Sequence, residues 1–361
     1  MKKIYITQPL IPDENRYNTY LSDIFKSRFL SNNGQYLQIL EQELKKLLDV
    51  KNNAIFCNGT TALMIALKSL DLKGSVITSP FTFPATPNAI EWNNLTPIFC
   101  DVDYETMNIL PKEAEKHINK DVSAILPVHV FGTPCDVYGF KDLSDSYNLK
   151  LVYDAAHAFN VKINGTGIGT FGDISMFSFH PTKLFHTGEG GMLTYNNKNL
   201  DIPIKQLRNF GIKDDQAGSI MPGINGKMNE IQAALGLCIL NEIKNEIKKR
   251  KKIYNLYKKY LFEIKKIKLL NVEKNIQLSY QYFPIRTKKR NKIYNLLIKN
   301  NIYARKYFFP LCSDFKHFEN IKSNVPNAKK ISEEILCLPF YGNMESEDVE
   351  RICEIIKKGE K

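Results

Sequence analysis

Ser178-Phe-His-Pro-Thr-Lys183-Leu-Phe-His-Thr-Gly188-Glu-Gly-Gly191 sets one lysine between an apolar run, residues 174–179, and a glycine-rich turn. A hydroxyl, that of Ser178, stands five residues upstream of Lys183. Burial at such a position disfavours the ammonium form and lowers the lysine pKa. A neutral amine attacks aldehydes and can hold a pyridoxal cofactor as a Schiff base. The segment read alone also fits an ordinary surface loop with a solvated lysine. What surrounds it has to decide between the two.

Working outward, short apolar runs recur at 54–57, 76–78, 97–100, 124–130, 150–153, 174–179 and 192–195, with helix-like stretches between them. Strands alternating with helices predict an α/β fold with a mostly parallel sheet. Ligands in such sheets bind beyond the carboxyl ends of the strands. Four further segments lie at or near those ends. Asn58-Gly-Thr-Thr61 follows the first strand and opens a helix, so the N–H groups of Gly59, Thr60 and Thr61 can receive a phosphate; plain N-capping by Asn58 or Thr60 is the ordinary alternative. Asp154 closes 149–154 and precedes Ala155-Ala-His157. A carboxylate there suits a ring nitrogen that must stay protonated, and a helix N-cap is the alternative. Ser79-Pro-Phe-Thr-Phe83-Pro-Ala-Thr86 offers two aromatics, one to stack on a flat ring or both for the core. Gly223-Ile-Asn225-Gly-Lys-Met places Asn225 in a turn, where asparagine needs no special reason to be.

The rest of the chain narrows the class. It has 361 residues, 43% of them hydrophobic, enough for two folded parts. No apolar run approaches the roughly 18 residues of a membrane span, and the N-terminus lacks a signal-peptide core, so a cytoplasmic protein is expected. Seven cysteines at 57, 100, 135, 238, 312, 337 and 353 show neither paired spacing nor a Cys-x-x-Cys. Small core residues, and no metal site, are the reading. The net charge of +12 is local: residues 241–300 hold 18 Lys and Arg against 4 Asp and Glu, a balance of +14, and the other residues, 32 basic and 34 acidic, balance at −2. Tyr254, Tyr257 and Tyr260 among these bases have helical spacing and read as a buried helix face rather than a nucleic-acid platform. The segmentation is a large part over 1–240, beginning with two helices around Ser31-Asn-Asn-Gly34, and a part over 241–361 formed by a basic linker helix and a small α+β domain.

Each motif alone has an ordinary explanation. Their order does not: a phosphate turn, an aromatic segment, a strand-end Asp154, then Ser-x4-Lys183 29 residues later before a Gly-rich turn. This order is that of fold-type-I pyridoxal-phosphate enzymes. With Pro127-Val-His-Val-Phe-Gly-Thr-Pro-Cys-Asp136, Gly172-Asp-Ile-Ser and Gly188-Glu-Gly-Gly-Met added, the chain resembles the DegT/DnrJ/EryC1/StrS sugar aminotransferases over roughly residues 5–345.

The resemblance implies pyridoxal 5'-phosphate as cofactor and assigns roles. Lys183 would carry the cofactor and shuttle the proton, and Asp154 would pair with the pyridine nitrogen. His157 would lie near the phenolic oxygen, and Phe83 would stack on the ring. Gly59, Thr60 and Ser178 would hold the phosphate. Asn225 matches the asparagine that completes the neighbouring subunit's site, which implies a homodimer with composite sites. Relatives with histidine at the lysine position are dehydratases, so Lys183 points to transamination. Pro84 and Cys57 depart from the usual pattern without touching the chemistry. The implied substrates are L-glutamate and a nucleotide-linked keto-sugar. The segments Tyr5-Ile-Thr-Gln-Pro-Leu-Ile-Pro and Phe29-Leu-Ser-Asn-Asn-Gly34 look most like the subgroup forming dTDP-4-amino-4,6-dideoxyglucose for surface polysaccharides such as O-antigen; the 3-keto sugar is the rival. A nucleic-acid-binding protein using residues 241–300 and a catalytically silent regulator are the readings from other classes. Neither gives Lys183, Asp154 and Ser178 a common purpose.

Overall fold

The computed structural model describes residues 2–213 and 218–361. Two amphipathic helices lead the chain, α1 (Glu14–Ser27) and α2 (Gln35–Leu48). Strands and helices then alternate as β1 (Asn52–Phe56), α3 (Gly59–Ser69), β2 (Ser75–Thr78), α4 (Ala85–Glu91), β3 (Thr96–Phe99), α5 (Pro111–Glu115), β4 (Val122–Leu126), α6 (Val137–Tyr147) and β5 (Lys150–Asp154). A short hairpin, β6 (Lys162–Ile163) and β7 (Thr166–Gly167), precedes β8 (Ile174–Ser178), β9 (Gly191–Tyr195) and α7 (Asp201–Arg208). Helix α8 (Glu230–Leu261) runs on without a break. Beyond it come β10 (Lys268–Leu269), β11 (Ile276–Gln277), β12 (Phe283–Arg286), α9 (Arg290–Lys299), α10 (Pro326–Glu334), β13 (Ile335–Leu338) and α11 (Ser346–Glu360).

The central sheet has the order β1-β9-β8-β5-β4-β2-β3, and β9 alone runs against the other strands. The α/β expectation with a mostly parallel sheet is met. Side chains alternate between two cores, as the two-residue period requires: Ile55, Ile77, Ile125, Tyr153 and Phe177 enter one, and Phe56, Val76, Leu126, Val152 and Met176 the other. Because β9 is antiparallel, its first residue lies at the edge where β1 and β8 end, with Gly191 paired to both Phe56 and Ser178. That reversal delivers the Gly188–Gly191 turn to the carboxyl edge of the sheet.

The second part packs an antiparallel sheet, β10-β12-β13, against α9, α11 and the end of α8 around its own core. Two expectations need adjustment. The apolar 228–240 stretch and the basic helix after it are one 32-residue helix, opened by an Asn229 capping box. The bases of α8 are not all solvated either: Arg250 is 1% exposed and its Nε donates to Glu246 at 2.6 Å. Tyr254 and Tyr257 are buried, as the helical spacing predicts, and Tyr260 is half-buried. The run expected over 124–130 stops as a strand at Leu126, since Pro127 follows. Six of the seven cysteines are buried, Cys57 is half-buried and all are free thiols. Among the described residues no helix is long and apolar enough to cross a membrane.

Candidate active site

A cavity of about 590 Å³ opens at the carboxyl edge of the sheet and collects residues from both parts of the chain. Asp154, the last residue of β5, is 5% exposed within it. The chain turns after it without entering a helix, so Asp154 is no N-cap. Its Oδ1 accepts from the Ala156 N–H at 3.0 Å, and its Oδ2 accepts from the Thr86 hydroxyl at 2.7 Å. Burial pushes the Asp154 carboxyl above its ordinary pKa, against the pull of these two donors and of the Lys183 charge.

Lys183 lies in the turn between β8 and β9, and its Nζ donates to the Tyr282 hydroxyl at 3.4 Å. Burial lowers its pKa to about 8; Asp154 works in the opposite direction, and the charge of Arg305 adds a smaller lowering. At pH 7 about a tenth of the amine is then neutral, far more than for a free lysine, and the neutral form is the nucleophile. The turn itself is held from the second part of the chain. The Leu184 N–H donates to Gln281 Oε1 at 2.6 Å, and Gln281 Nε2 donates to the Thr182 carbonyl at 2.9 Å. One buried amide thus grips the backbone on both sides of Lys183.

The anion-binding end is the start of α3. Asn58 caps the helix by accepting from the Thr61 N–H at 2.8 Å. Thr61 is thereby removed from the expected donor set, and Gly59 and Thr60 remain. Ser178 faces them across a narrow gap: a Cβ on Gly59 would sit 3.2 Å from the Ser178 Cβ and 3.3 Å from its Cα. A Cβ on Gly191 would meet the Asn58 carbonyl carbon at 2.6 Å. Gly191 is required by close approach of backbone to backbone, and a side chain at Gly59 would crowd Ser178.

His157 is 7% exposed, and its Nδ1 accepts from the Phe131 N–H at 3.3 Å. That bond leaves the ring proton on Nε2 as a donor. Burial holds the imidazole neutral, with its pKa well below the ordinary value, and the Lys183 charge acts in the same sense. Phe83 is 52% exposed on the cavity wall, whereas Phe81 is fully buried against Phe131 and Phe308. Of the two aromatics, Phe83 is thus the one free to stack on a ligand. Asn225 is exposed and lies outside this cavity. Its loop still touches the phosphate turn, because the Cys57 N–H donates to the Gly226 carbonyl at 2.8 Å.

A sequence profile of the DegT/DnrJ/EryC1/StrS aminotransferase family matches residues 12–357. The chain belongs to that family. It is 37% identical to a dTDP-4-amino-4,6-dideoxy-D-glucose transaminase of Shigella dysenteriae, over 99% of both chains. A protein of the same description from Escherichia coli is 39% identical over 98% of both. The crystal structure of DesI in the presence of its TDP-sugar product superimposes with a TM-score of 0.95 at 28% identity, covering 100% of this chain and 93% of that one. This member of the family is an aminotransferase, and its cofactor is pyridoxal 5'-phosphate.

The residues present fit that group. The cavity offers helix N–H donors and the Ser178 hydroxyl at one end, a buried carboxylate on Asp154, a neutral imidazole with a donor nitrogen, and an amine on Lys183. Sequence reasoning passed over several members. Thr86 was in view as the end of the aromatic segment, yet its bond to Asp154 depends on α4 packing beside β5. Gln281, Tyr282, Arg305 and Tyr307 come from the second part of the chain, more than 90 residues beyond Lys183. No local pattern marks Gln281 or Tyr282, whereas Arg305 and Tyr307 lie in 302–310, the segment that the family resemblance implies reaches the sugar or its phosphates.

Proposed function

We propose that this aminotransferase moves the amino group of L-glutamate to the C4 ketone of dTDP-4-keto-6-deoxy-D-glucose, giving dTDP-4-amino-4,6-dideoxy-D-glucose for a surface polysaccharide. What carries the reading is the near full-length identity to two transaminases described by that product, on a site that keeps its lysine. The protein works in the cytoplasm, where nucleotide sugars are made, and its active unit is a homodimer. The division into a cofactor-binding part, 1–240, and a smaller part, 241–361, belongs to the same proposal. The core around β10-β12-β13 supports that division, although Ile4 enters it, Tyr307, Phe308, Ile331 and Cys337 join the core of the larger part, and α8 crosses the boundary unbroken.

The bound cofactor supplies an electron sink that stabilises negative charge on the carbon next to the transferred nitrogen. This chain's residues do the rest. The N–H groups of Gly59 and Thr60 and the Ser178 hydroxyl bind the phosphate. Asp154, ionised and held by Thr86 and Ala156, keeps the pyridine nitrogen protonated. His157 donates from Nε2 to the phenolic oxygen, and Phe83 covers one face of the ring. Lys183 Nζ would hold the cofactor between turnovers, and its freed amine would serve as the group that takes up and returns the proton. Its amine form near neutral pH suits it to accept that proton, and the Tyr282 hydroxyl steadies it on release. Asn225 reaches the phosphate of the neighbouring subunit.

Incubation with glutamate and either the 4-keto or the 3-keto dTDP-sugar, with the product identified by NMR, tests the assignment. Amination at C4 is expected. A product aminated only at C3 refutes the substrate reading. Borohydride reduction is expected to fix the cofactor to the peptide containing Lys183, and Lys183→Ala to lower turnover by at least about 1,000-fold.

A further inference from the structure

Two anionic substrates must visit one cavity in turn, so its cations are of special interest. Most charged groups there already have partners. Asp154 accepts two hydrogen bonds, Lys183 reaches Tyr282, and Glu189 Oε1 stands 3.7 Å from His180 Nε2 at the rim. Arg305 differs. It is exposed and lines the cavity, and among the described residues its guanidinium makes no ion pair or hydrogen bond. Its backbone is rigid, because it exchanges two hydrogen bonds with Cys337 of β13, at 3.0 and 2.8 Å. Its guanidinium rests on the Tyr307 ring, 4.4 Å from the centroid. The Tyr307 ring meets Tyr282 at 5.4 Å, and the Tyr282 hydroxyl meets Lys183. The free guanidinium is therefore placed two ring contacts from the reacting amine. A planar guanidinium leaning on an aromatic face keeps its N–H edge open for bidentate binding of a carboxylate.

We propose that Arg305 binds the α-carboxylate of the amino-acid donor. This rests on the transaminase reading above. The donor's nitrogen must arrive where Lys183 Nζ stands, and its α-carboxylate is attached to the same carbon as that nitrogen. Arg305 lines the same cavity as Lys183 and its charge acts on that amine, so among the described residues it is the cation nearest to where this carboxylate would lie that has no anionic partner. The diphosphate of a nucleotide sugar is separated from the reacting ketone by the sugar ring and calls for a cation farther away. When the keto acid leaves, Arg305 is vacated and the sugar can enter. One cavity then serves both partners without a permanent carboxylate competing for the site.

The two half-reactions separate the candidates. Holoenzyme with Arg305→Gln or Arg305→Lys is given L-glutamate alone, and the cofactor absorbance is followed as donor concentration rises. The aminated form is then given the keto-sugar alone. For Arg305→Gln the glutamate concentration at half-saturation is expected to rise roughly 100-fold, the scale of a lost charge-assisted bidentate pair. Sugar half-saturation is expected to stay within about threefold, and Arg305→Lys to recover part of the glutamate effect. Unchanged glutamate saturation overturns the proposal, and so does a loss that falls on the sugar side, which would place the diphosphate on Arg305. A wild-type enzyme whose spectrum ignores glutamate refutes the donor reading itself. Cofactor absorbance and thermal midpoint check the fold of the variants.

Discussion

Lys183 shows how a single residue acquires its chemistry. In sequence it is one basic residue among many, and its pKa of about 8 follows from burial by groups distant in the chain. Because the folded value lies below that of a free lysine, the unfolded chain binds more protons between about pH 8 and 10.5. This group's contribution to stability therefore increases as pH rises through that window. The same shift predicts the rate at which cofactor-free protein captures pyridoxal phosphate. The rate should climb with a midpoint near pH 8, read by stopped-flow absorbance. A midpoint near 10 would show that burial does not act on this amine. Tyr282→Phe keeps the ring packing and removes the hydroxyl that accepts from Lys183. The charged form loses a partner, so the midpoint should move to lower pH, by up to about one unit. Asp154 and His157 follow the same logic: residue type was visible from the sequence, but burial shifts both pKa values, Thr86 and Ala156 pull Asp154 back toward the carboxylate, and the Phe131 N–H sets the His157 tautomer.

At the level of elements, the turn between β8 and β9 depends on a residue outside the large sheet. Gln281 leads into β12 and bonds the peptide groups flanking Lys183. Arg250 of α8 reaches the Tyr280 carbonyl at 3.5 Å and helps to fix that approach. Gln281→Leu would leave the Leu184 N–H and the Thr182 carbonyl without their partner in a buried place. A loss of about 1–3 kcal/mol is expected in thermal or denaturant unfolding, together with slower cofactor capture. Unchanged stability and capture would mean that water replaces the amide without cost. Strands and helices were legible here because alternation and short apolar runs are local properties. At residue 241 the charge changes but the helix does not end. A helix continues wherever its backbone bonds do, whatever its surface carries.

At the scale of the whole molecule, the homodimer proposed above would make each active site composite. Asn225 sits outside its own chain's cavity on a loop flanked by exposed Phe210, Ile220 and Ile224, an apolar surface of the kind that a second copy covers. Co-expressed Lys183→Ala and Asn225→Ala chains test this. If sites are shared, half of the randomly paired dimers are mixed, and each mixed dimer rebuilds one intact site. About a quarter of wild-type activity should return from two chains that are each impaired alone. No recovery in dimers shown to be mixed would mean that each chain completes its own site. The sequence by itself determined the mostly parallel sheet and pointed to Lys183, the strand-end Asp154 and the turn at Gly59 and Thr60, because these are bound to local chemistry: the period of a strand, a glycine where backbones meet, the N-terminus of a helix. Only the tertiary structure decided that Thr86 orients Asp154, that Gln281 and Tyr282 hold Lys183, and that Arg305 stands free in the same wall. Those residues are joined through packing of distant segments, and packing leaves no periodic trace in a single chain.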